Sequence, residues 1–286
     1  MTSPLELARA DLRHRIGSTG IWRRSPGLDP ALAATAERSG FGSFWVGGSP
    51  PADLGIVEAV LEATERIVVA TGIVNIWTAN AREVAASYHR IEAAHPGRFI
   101  LGIGAGHPER HEQAAKPYTG LVDYLDLLEA EGVPGDRLVL AALGDRVLRL
   151  SAARTLGAHP YFVPPAHSSR ARAVMGPSAL LVPEQRILLE TDPTLARDTL
   201  RPGMGYYFDL TNYRTNLLRL GLDETEIDAH SDAAVDELAA WGDGAAVRTR
   251  LDAQIAAGAD HVVAQIVVPE GADETGLIEA LGAALR

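Results

Sequence analysis

The chain contains no cysteine, which excludes disulfides, thiolate nucleophiles and Cys-ligated zinc or iron–sulfur centres. Basic residues are in the minority: 26 Lys+Arg stand against 37 Asp+Glu, a formal charge of −11. The averaged field repels phosphate backbones and anionic lipid surfaces. The arginines are scattered, and no basic run interleaved with aromatics offers a groove for a single strand. No nucleic-acid partner is expected, and any anionic ligand needs a local site. Long apolar runs are missing as well. No stretch approaches the roughly 20 apolar residues of a membrane span, and residues 1–11 mix charges into the place where a signal peptide carries its apolar stretch. The expectation is a cytoplasmic protein without a membrane partner.

What is present is ordinary for a globular protein: 286 residues, 47% hydrophobic and 22% charged, enough to bury a large core. Short β-branched or apolar runs recur along the chain, each followed by a stretch with helical spacing of Ala and Leu. The predicted strands are Ile16–Trp22, Ser43–Gly47, Ile67–Asn75, Arg98–Gly104, Arg137–Ala142, Ala158–Val163, Leu180–Leu189 and His261–Val268. Asp29-Pro30 opens one helix and Gly40 closes it; Asn80 precedes Ala81–Ala94, with Pro96-Gly97 after it; Asp192-Pro193 opens another. Repeated βα units require a parallel sheet with right-handed crossovers, and eight of them close into a (β/α)₈ TIM barrel. An open doubly wound sheet is the alternative. Residues 193–258 break the rhythm with several helical patterns, around Leu195–Leu200, Tyr213–Leu220, Asp232–Trp241 and Ala245–Ala257, and read as a helical insertion after strand seven. No linker or composition shift divides residues 1–286, so one domain is expected, with its chemistry at the C-terminal ends of the strands.

The fourth predicted strand ends in Gly102-Ile-Gly104-Ala-Gly106-His107, with glycines where the backbone leaves the barrel mouth. Glycine there permits close approach of a flat ligand, although a tight exit turn needs no ligand. The Rossmann fingerprint is not met. His107, Glu109 and His111 invite a metal reading, but their alternate spacing does not converge on a helix face and Pro108 suits a helix start, so no metal is expected. His107 stands at the strand terminus, where an imidazole can exchange a proton near neutral pH. The fifth predicted strand turns through Gly144-Asp145-Arg146 into a helix, pairing unsatisfied N–H groups with a bidentate donor for an anion or phosphate. Alternatively, Asp145 is only a cap and Arg146 faces water. In the third, Gly72 interrupts an apolar run that finishes at Asn75 and Trp77, the mark of a bulge, a kink or a ligand against the backbone. Trp22, Trp77 and Tyr118 are candidate walls of a substrate pocket. His167 beside Ser168-Ser169 has no G-x-S-x-G elbow to make a hydrolase, and Glu184 and Glu190 have no obvious partner for glycoside cleavage.

Three strings, Ala36-Glu-Arg-Ser-Gly-Phe-Gly-Ser-Phe-Trp-Val-Gly-Gly-Ser49, Val69-Ala-Thr-Gly-Ile-Val-Asn75 and Pro96-Gly-Arg-Phe-Ile-Leu-Gly-Ile-Gly-Ala-Gly-His-Pro108, resemble the bacterial luciferase-like oxidoreductases, and more narrowly the branch that uses coenzyme F420. Lys116-Pro117, Tyr124-Leu125-Asp126 and Ala141–Leu148 extend the likeness over nearly the whole chain. The resemblance implies a (β/α)₈ barrel with insertions and a cofactor ring lying against a bulge that holds a non-proline cis peptide, here Gly72–Ile73. It also implies a phosphate loop at Ala142, Leu143, Gly144, Asp145 and Arg146, and cofactor contacts at Gly72, Ile73, Asn75, Gly106 and His107. Gly48-Ser49 stands where several relatives carry an Asp-His pair, and His107 where a relative carries an acid, so His107 is the expected proton-handling group. The implied activity is hydride transfer between the deazaflavin and a small organic substrate. An FMN-dependent two-component monooxygenase and a cofactor-binding barrel without turnover are the alternatives, and relatives are often dimers.

Overall fold

The computed structural model describes residues 3–107 and 116–286. Helix α1 (Pro4–Ile16) starts at a capping box: the Ser3 hydroxyl accepts from the Glu6 N–H, and the Glu6 carboxylate accepts from the Ser3 N–H. The chain then alternates as β1 (Thr19–Arg24), α2 (Ala31–Arg38), β2 (Ser43–Gly47), α3 (Gly55–Glu62), β3 (Val68–Gly72), β4 (Val74–Asn75), α4 (Ala81–Ala94), β5 (Phe99–Gly104) and α5 (Pro117–Ala130). It continues as β6 (Leu138–Leu140), α6 (Asp145–Arg154), β7 (Gly157–Ala158), α7 (Pro165–Met175), β8 (Leu180–Leu181) and β9 (Glu184–Leu188). Four helices follow, α8 (Pro193–Asp209), α9 (Thr211–Arg219), α10 (Glu224–Asp228) and α11 (Asp232–Leu238), before β10 (Ala239–Trp241), α12 (Gly244–Ala256), β11 (Val262–Ile266) and α13 (Glu274–Leu285).

The sheet curls in the manner of a TIM barrel, in the order β10-β9-β11-β1-β2-β3-β5-β6-β7-β8 with β4 beside β5, and every strand pairing is parallel. One end of that order, β8, runs on directly into β9, the strand next to the other end. Val182 and Glu184 donate to Ala158 and Pro160 on the β7 side, while Val263 of β11 donates to the Pro183 carbonyl.

Several expected boundaries hold. Asn80 caps α4 by accepting from Arg82 and Glu83, and Asp192 caps α8 by accepting from Thr194 and Leu195. Others need correction. Ile16 closes α1 and β1 begins at Thr19. The third expected strand is split at Ile73, and the seventh at Val182-Pro183, where proline has no N–H to give the ladder. The sixth is Gly157–Ala158 rather than Ala158–Val163; beyond it the chain turns into a loop in which Phe162 takes φ 57°. The stretch expected to be helical through Trp241 ends in strand β10, which pairs with Arg186, Ile187 and Leu188.

Helix α1 covers the N-terminal ends of the strands. Its Leu12 and Ile16 pack into the interior cluster with Trp45, Ile100, Val139 and Val263. Buried Arg9 donates to the carbonyls of Ala152, Thr155 and Leu156 where α6 runs into β7. At this end His261 donates from Nδ1 to the Gly17 carbonyl and accepts at Nε2 from the Ser43 hydroxyl, which in turn accepts from the Trp45 indole. With that end filled, open space is left at the C-terminal ends of the strands.

Candidate active site

A cavity of about 1060 Å³ opens at the C-terminal ends of the strands, at the upper end of the usual range for a small-molecule site. Trp22, Gly72, Ile73, Asn75, Gly106 and His107 line it from β1, β3, β4 and β5 and their ends. Ala142, Leu143, Gly144 and Arg146 form the rim where the chain enters α6. Tyr118 joins them from α5, and Arg186 from β9. Tyr206, Tyr207 and Tyr213 close the side made by α8 and α9.

The strand side is made largely of backbone. The Gly72–Ile73 peptide is cis, and the Trp22 indole donates to the Gly72 carbonyl at 3.1 Å. A Cβ on Gly72 would stand 2.9 Å from the Trp22 Nε1 and 3.0 Å from the His159 Nε2. Gly106 has φ 59°, and a Cβ there would meet the Asn75 amide nitrogen at 2.6 Å, so conformation and space both require glycine. The Asn75 amide oxygen accepts from the Trp77 N–H at 3.0 Å.

The rim is a helix N-terminus. Gly144 is the N-cap of α6, and the first helical donors, Val147 and Leu148, both reach the Gly144 carbonyl. The N–H groups of Asp145 and Arg146 precede them and have no acceptor within the helix. The Arg146 guanidinium lies 3.8 Å from the Tyr118 ring centroid, and the Leu143 carbonyl is held by the His167 imidazole at 3.1 Å. These N–H groups, the helix dipole and Arg146 suit a phosphate.

Asp145 and Trp77, both expected at the site, stand off the cavity wall. The Asp145 carboxylate accepts twice from Arg170 at 2.9 Å, which neutralises an anion that would oppose a phosphate. Trp77 donates to the Ala105 carbonyl at 2.8 Å and fills the space against Gly120. It braces the exit of β5 from behind. Glu109 and His111 lie outside the described residues.

His159 and the far wall were not singled out from the sequence. The His159 Nδ1–H donates to the Val182 carbonyl at 2.8 Å, its ring stacks on Trp45, and its Nε2 is a buried acceptor without a donor. Burial pushes its pKa down to about 4, so the ring is neutral. Tyr161 donates to the Gln265 side chain at 2.7 Å and accepts from Arg186 at 3.0 Å. Its ring lies 5.5 Å from Trp22 and 5.2 Å from Tyr207, and burial raises its phenol well above the usual range. The His107 ring meets this aromatic group 5.5 Å from Tyr213. Glu184, buried beneath it, accepts from the Phe162 N–H, and burial pushes its carboxyl up to about 7 despite Arg186 nearby. One sequence signal was available, the polar string Glu184-Gln185-Arg186 inside an otherwise apolar barrel strand.

A family model for luciferase-like monooxygenases matches residues 27–176. The chain belongs to that family. No curated protein sequence matches it. Among solved structures it is similar to an F420-dependent secondary alcohol dehydrogenase in complex with an F420–acetone adduct, at 16% identity and TM-score 0.72, covering 94% of this chain and 99% of that one. It is also similar to the coenzyme F420-dependent tetrahydromethanopterin reductase of Methanopyrus kandleri, at 15% identity and TM-score 0.71, covering 94% and 98%. The oxygenating constituent of 3,6-diketocamphane monooxygenase from Pseudomonas putida, in complex with FMN, aligns at 15% identity and TM-score 0.62, covering 93% and 96%. These likenesses describe the fold.

Proposed function

We propose that the chain is a single-domain, F420-dependent oxidoreductase that moves a hydride between the deazaflavin and a small organic substrate. The observation that carries this reading is the cavity itself, which joins a phosphate cradle before α6 to a glycine-built strand side and an aromatic wall. The two F420-dependent structures align at TM-scores of 0.72 and 0.71, which adds support. On this reading the domain spans residues 1–286 and closes as a (β/α)₈ barrel through 180–188. The helices between β9 and β10 are an insertion that walls the substrate side.

The residues present fit such a group. A flat ring has room against Gly72, Ile73 and Gly106, the unpaired His159 Nε2 offers an acceptor to a ligand N–H or O–H, and the α6 N-terminus with Arg146 takes the phosphate. The bound deazaflavin supplies the hydride chemistry. Ala142, Leu143, Gly144 and Arg146 hold the phosphate end, while Trp22 and the tyrosines exclude water and orient the substrate. His107, at the end of β5 beside Tyr213, gives or takes the proton at the reacting substrate atom. The protein acts in the cytoplasm on a small molecule, without nucleic acid or membrane.

A second reading is FMN-dependent monooxygenation, favoured by the match to the luciferase-like monooxygenase model and by the FMN-containing relative. Titrating the protein with oxidised coenzyme F420 and separately with FMN, each followed by quenching of cofactor fluorescence, decides between them. Saturable binding of the deazaflavin alone is the expected result. Binding of FMN alone supports the second reading, and binding of neither overturns both.

A further inference from the structure

We propose that the cavity selects an anionic substrate, one carrying a carboxylate or an acidic enol or phenol oxygen, and that Arg186 is the residue that receives that oxygen. The inference rests on reading this cavity as the reaction chamber and adds the charge of its substrate.

Arg186 lies in the middle of β9, lines the cavity and is 5% exposed. Its guanidinium has five N–H groups. One Nη1–H goes to the Gly203 carbonyl at 2.8 Å and one Nη2–H to the Tyr161 hydroxyl at 3.0 Å, while the buried Nε has no acceptor. Arg170 and Arg250 also keep a buried Nε without an acceptor, whereas Arg9 and Arg98 contrast with Arg186. Arg9 is held by three backbone carbonyls, and Arg98 by the carbonyls of Leu61, Thr64 and Ile67 together with the Thr64 hydroxyl.

Compensating charge is also short at this position. Among the described residues Arg186 makes no ion pair. The carboxyl of Glu184 is shifted by burial toward its neutral form, and the single Tyr161 proton is directed to Gln265. A guanidinium removed from water, with N–H groups to spare and no carboxylate in contact, is complementary to a planar oxyanion. The surrounding rings, Tyr207 with its centroid 5.4 Å from the guanidinium carbon and Tyr161 beyond it, make an aromatic or otherwise flat acid the best-fitting shape. This locus is separate from the phosphate rim, where the exposed Arg146, in the first turn of α6, sits on Tyr118.

The test compares 4-fluorobenzoate with its neutral isostere 4-fluorobenzamide by ¹⁹F line broadening on the full chain at pH 6, where Glu184 is mostly neutral, without cofactor and again with coenzyme F420 present. The wild type should bind the acid about tenfold or more tightly than the amide, as a charge-assisted contact provides. R186Q should lose that preference, R186K should keep part of it, and R146Q should leave it intact. Equal affinities in the wild type, a preference that survives in folded R186Q, or one abolished by R146Q alone would each overturn the proposal. A purely structural role for Arg186 would weaken both probes in parallel and leave the ratio unchanged. If R186Q does not fold, the wild-type ratio and R186K carry the decision. Because the probe is not the cofactor, failure here leaves the cofactor titration standing, and the reverse also holds.

Discussion

Two buried histidines in the barrel, both neutral and both pushed down to about pH 4 by burial, show how its two ends differ. At the N-terminal end His261 uses both ring nitrogens, and its hydroxyl partner Ser43 is itself completed by Trp45. At the mouth His159 uses Nδ1 on Val182 and leaves Nε2 without a donor, next to Gly72 and the cavity. The closed end is a finished polar network. The open end keeps unmatched groups, His159 Nε2 and Arg186 Nε among them, beside a space that a ligand can fill. Burial and titration behaviour are alike in the two histidines; the completeness of hydrogen bonding separates structure from site.

The largest effect expected is acid unfolding of the wild type. His159, His167 and His261 each have a folded pKa of about 4, below the value near 6.5 of the unfolded chain. Their contribution is present above pH 6.5 and disappears as pH falls toward 4, roughly 3 kcal/mol for each group. That total approaches the stability of a typical domain, so urea midpoints should collapse between pH 6 and 4. A flat profile would mean that these rings are hydrated or paired.

Glu184 works in the opposite direction. Its folded pKa of about 7 lies above that of an exposed carboxyl, so it favours the fold below about pH 4.5 and loses that contribution as pH rises through 7, on the order of 3 kcal/mol. The E184Q variant should flatten this loss in urea titrations from pH 5 to 8. An unchanged slope would show that Glu184 is charged in the fold.

Exchanging the two histidines tests the comparison directly. H261A strands the Ser43 hydroxyl and the Gly17 carbonyl and should cost roughly 3 kcal/mol of stability, whereas H159A gives up one bond and should cost about 1–2. Ligand affinity should move the other way, with H159A weakening cofactor binding about tenfold and H261A leaving it unchanged. Equal effects on both readouts would erase the distinction between the ends. R146Q should change binding alone, costing about 1–2 kcal/mol of cofactor binding and lessening its salt dependence. Thermal melts would show that stability is untouched.

The parts legible in the sequence were those whose parts are adjacent in the chain. The glycines around Gly102–Gly106, the Gly144-Asp145-Arg146 turn and the capped helix α4 are contiguous strings, and each lies where the spacing implies. Strand β10 was hidden because Ala239-Ala240 reads as helix, and only pairing with β9 makes it extended. The loop after β7 looked like a strand because Tyr161, Phe162 and Val163 favour one, yet Glu184 holds the Phe162 N–H in a turn. The far wall was illegible for another reason. His159, Tyr161, Arg186, Tyr207 and Gln265 come from four separate stretches of chain, and each is unremarkable until packing puts them around one cavity.

The parallel seam between β1 and β11 also has a kinetic consequence. Arg23 reaches across it to Ile266, 243 positions further along the chain. During synthesis the edge of β1 stays without that neighbour until the chain has emerged through Ile266, at about 5–20 residues per second. Contacts of such long sequence separation form late and slowly, so the nascent chain passes through a long interval as an open, sticky half-barrel. At that stage unpaired strand edges and apolar surface are exposed, the condition in which aggregation competes with folding.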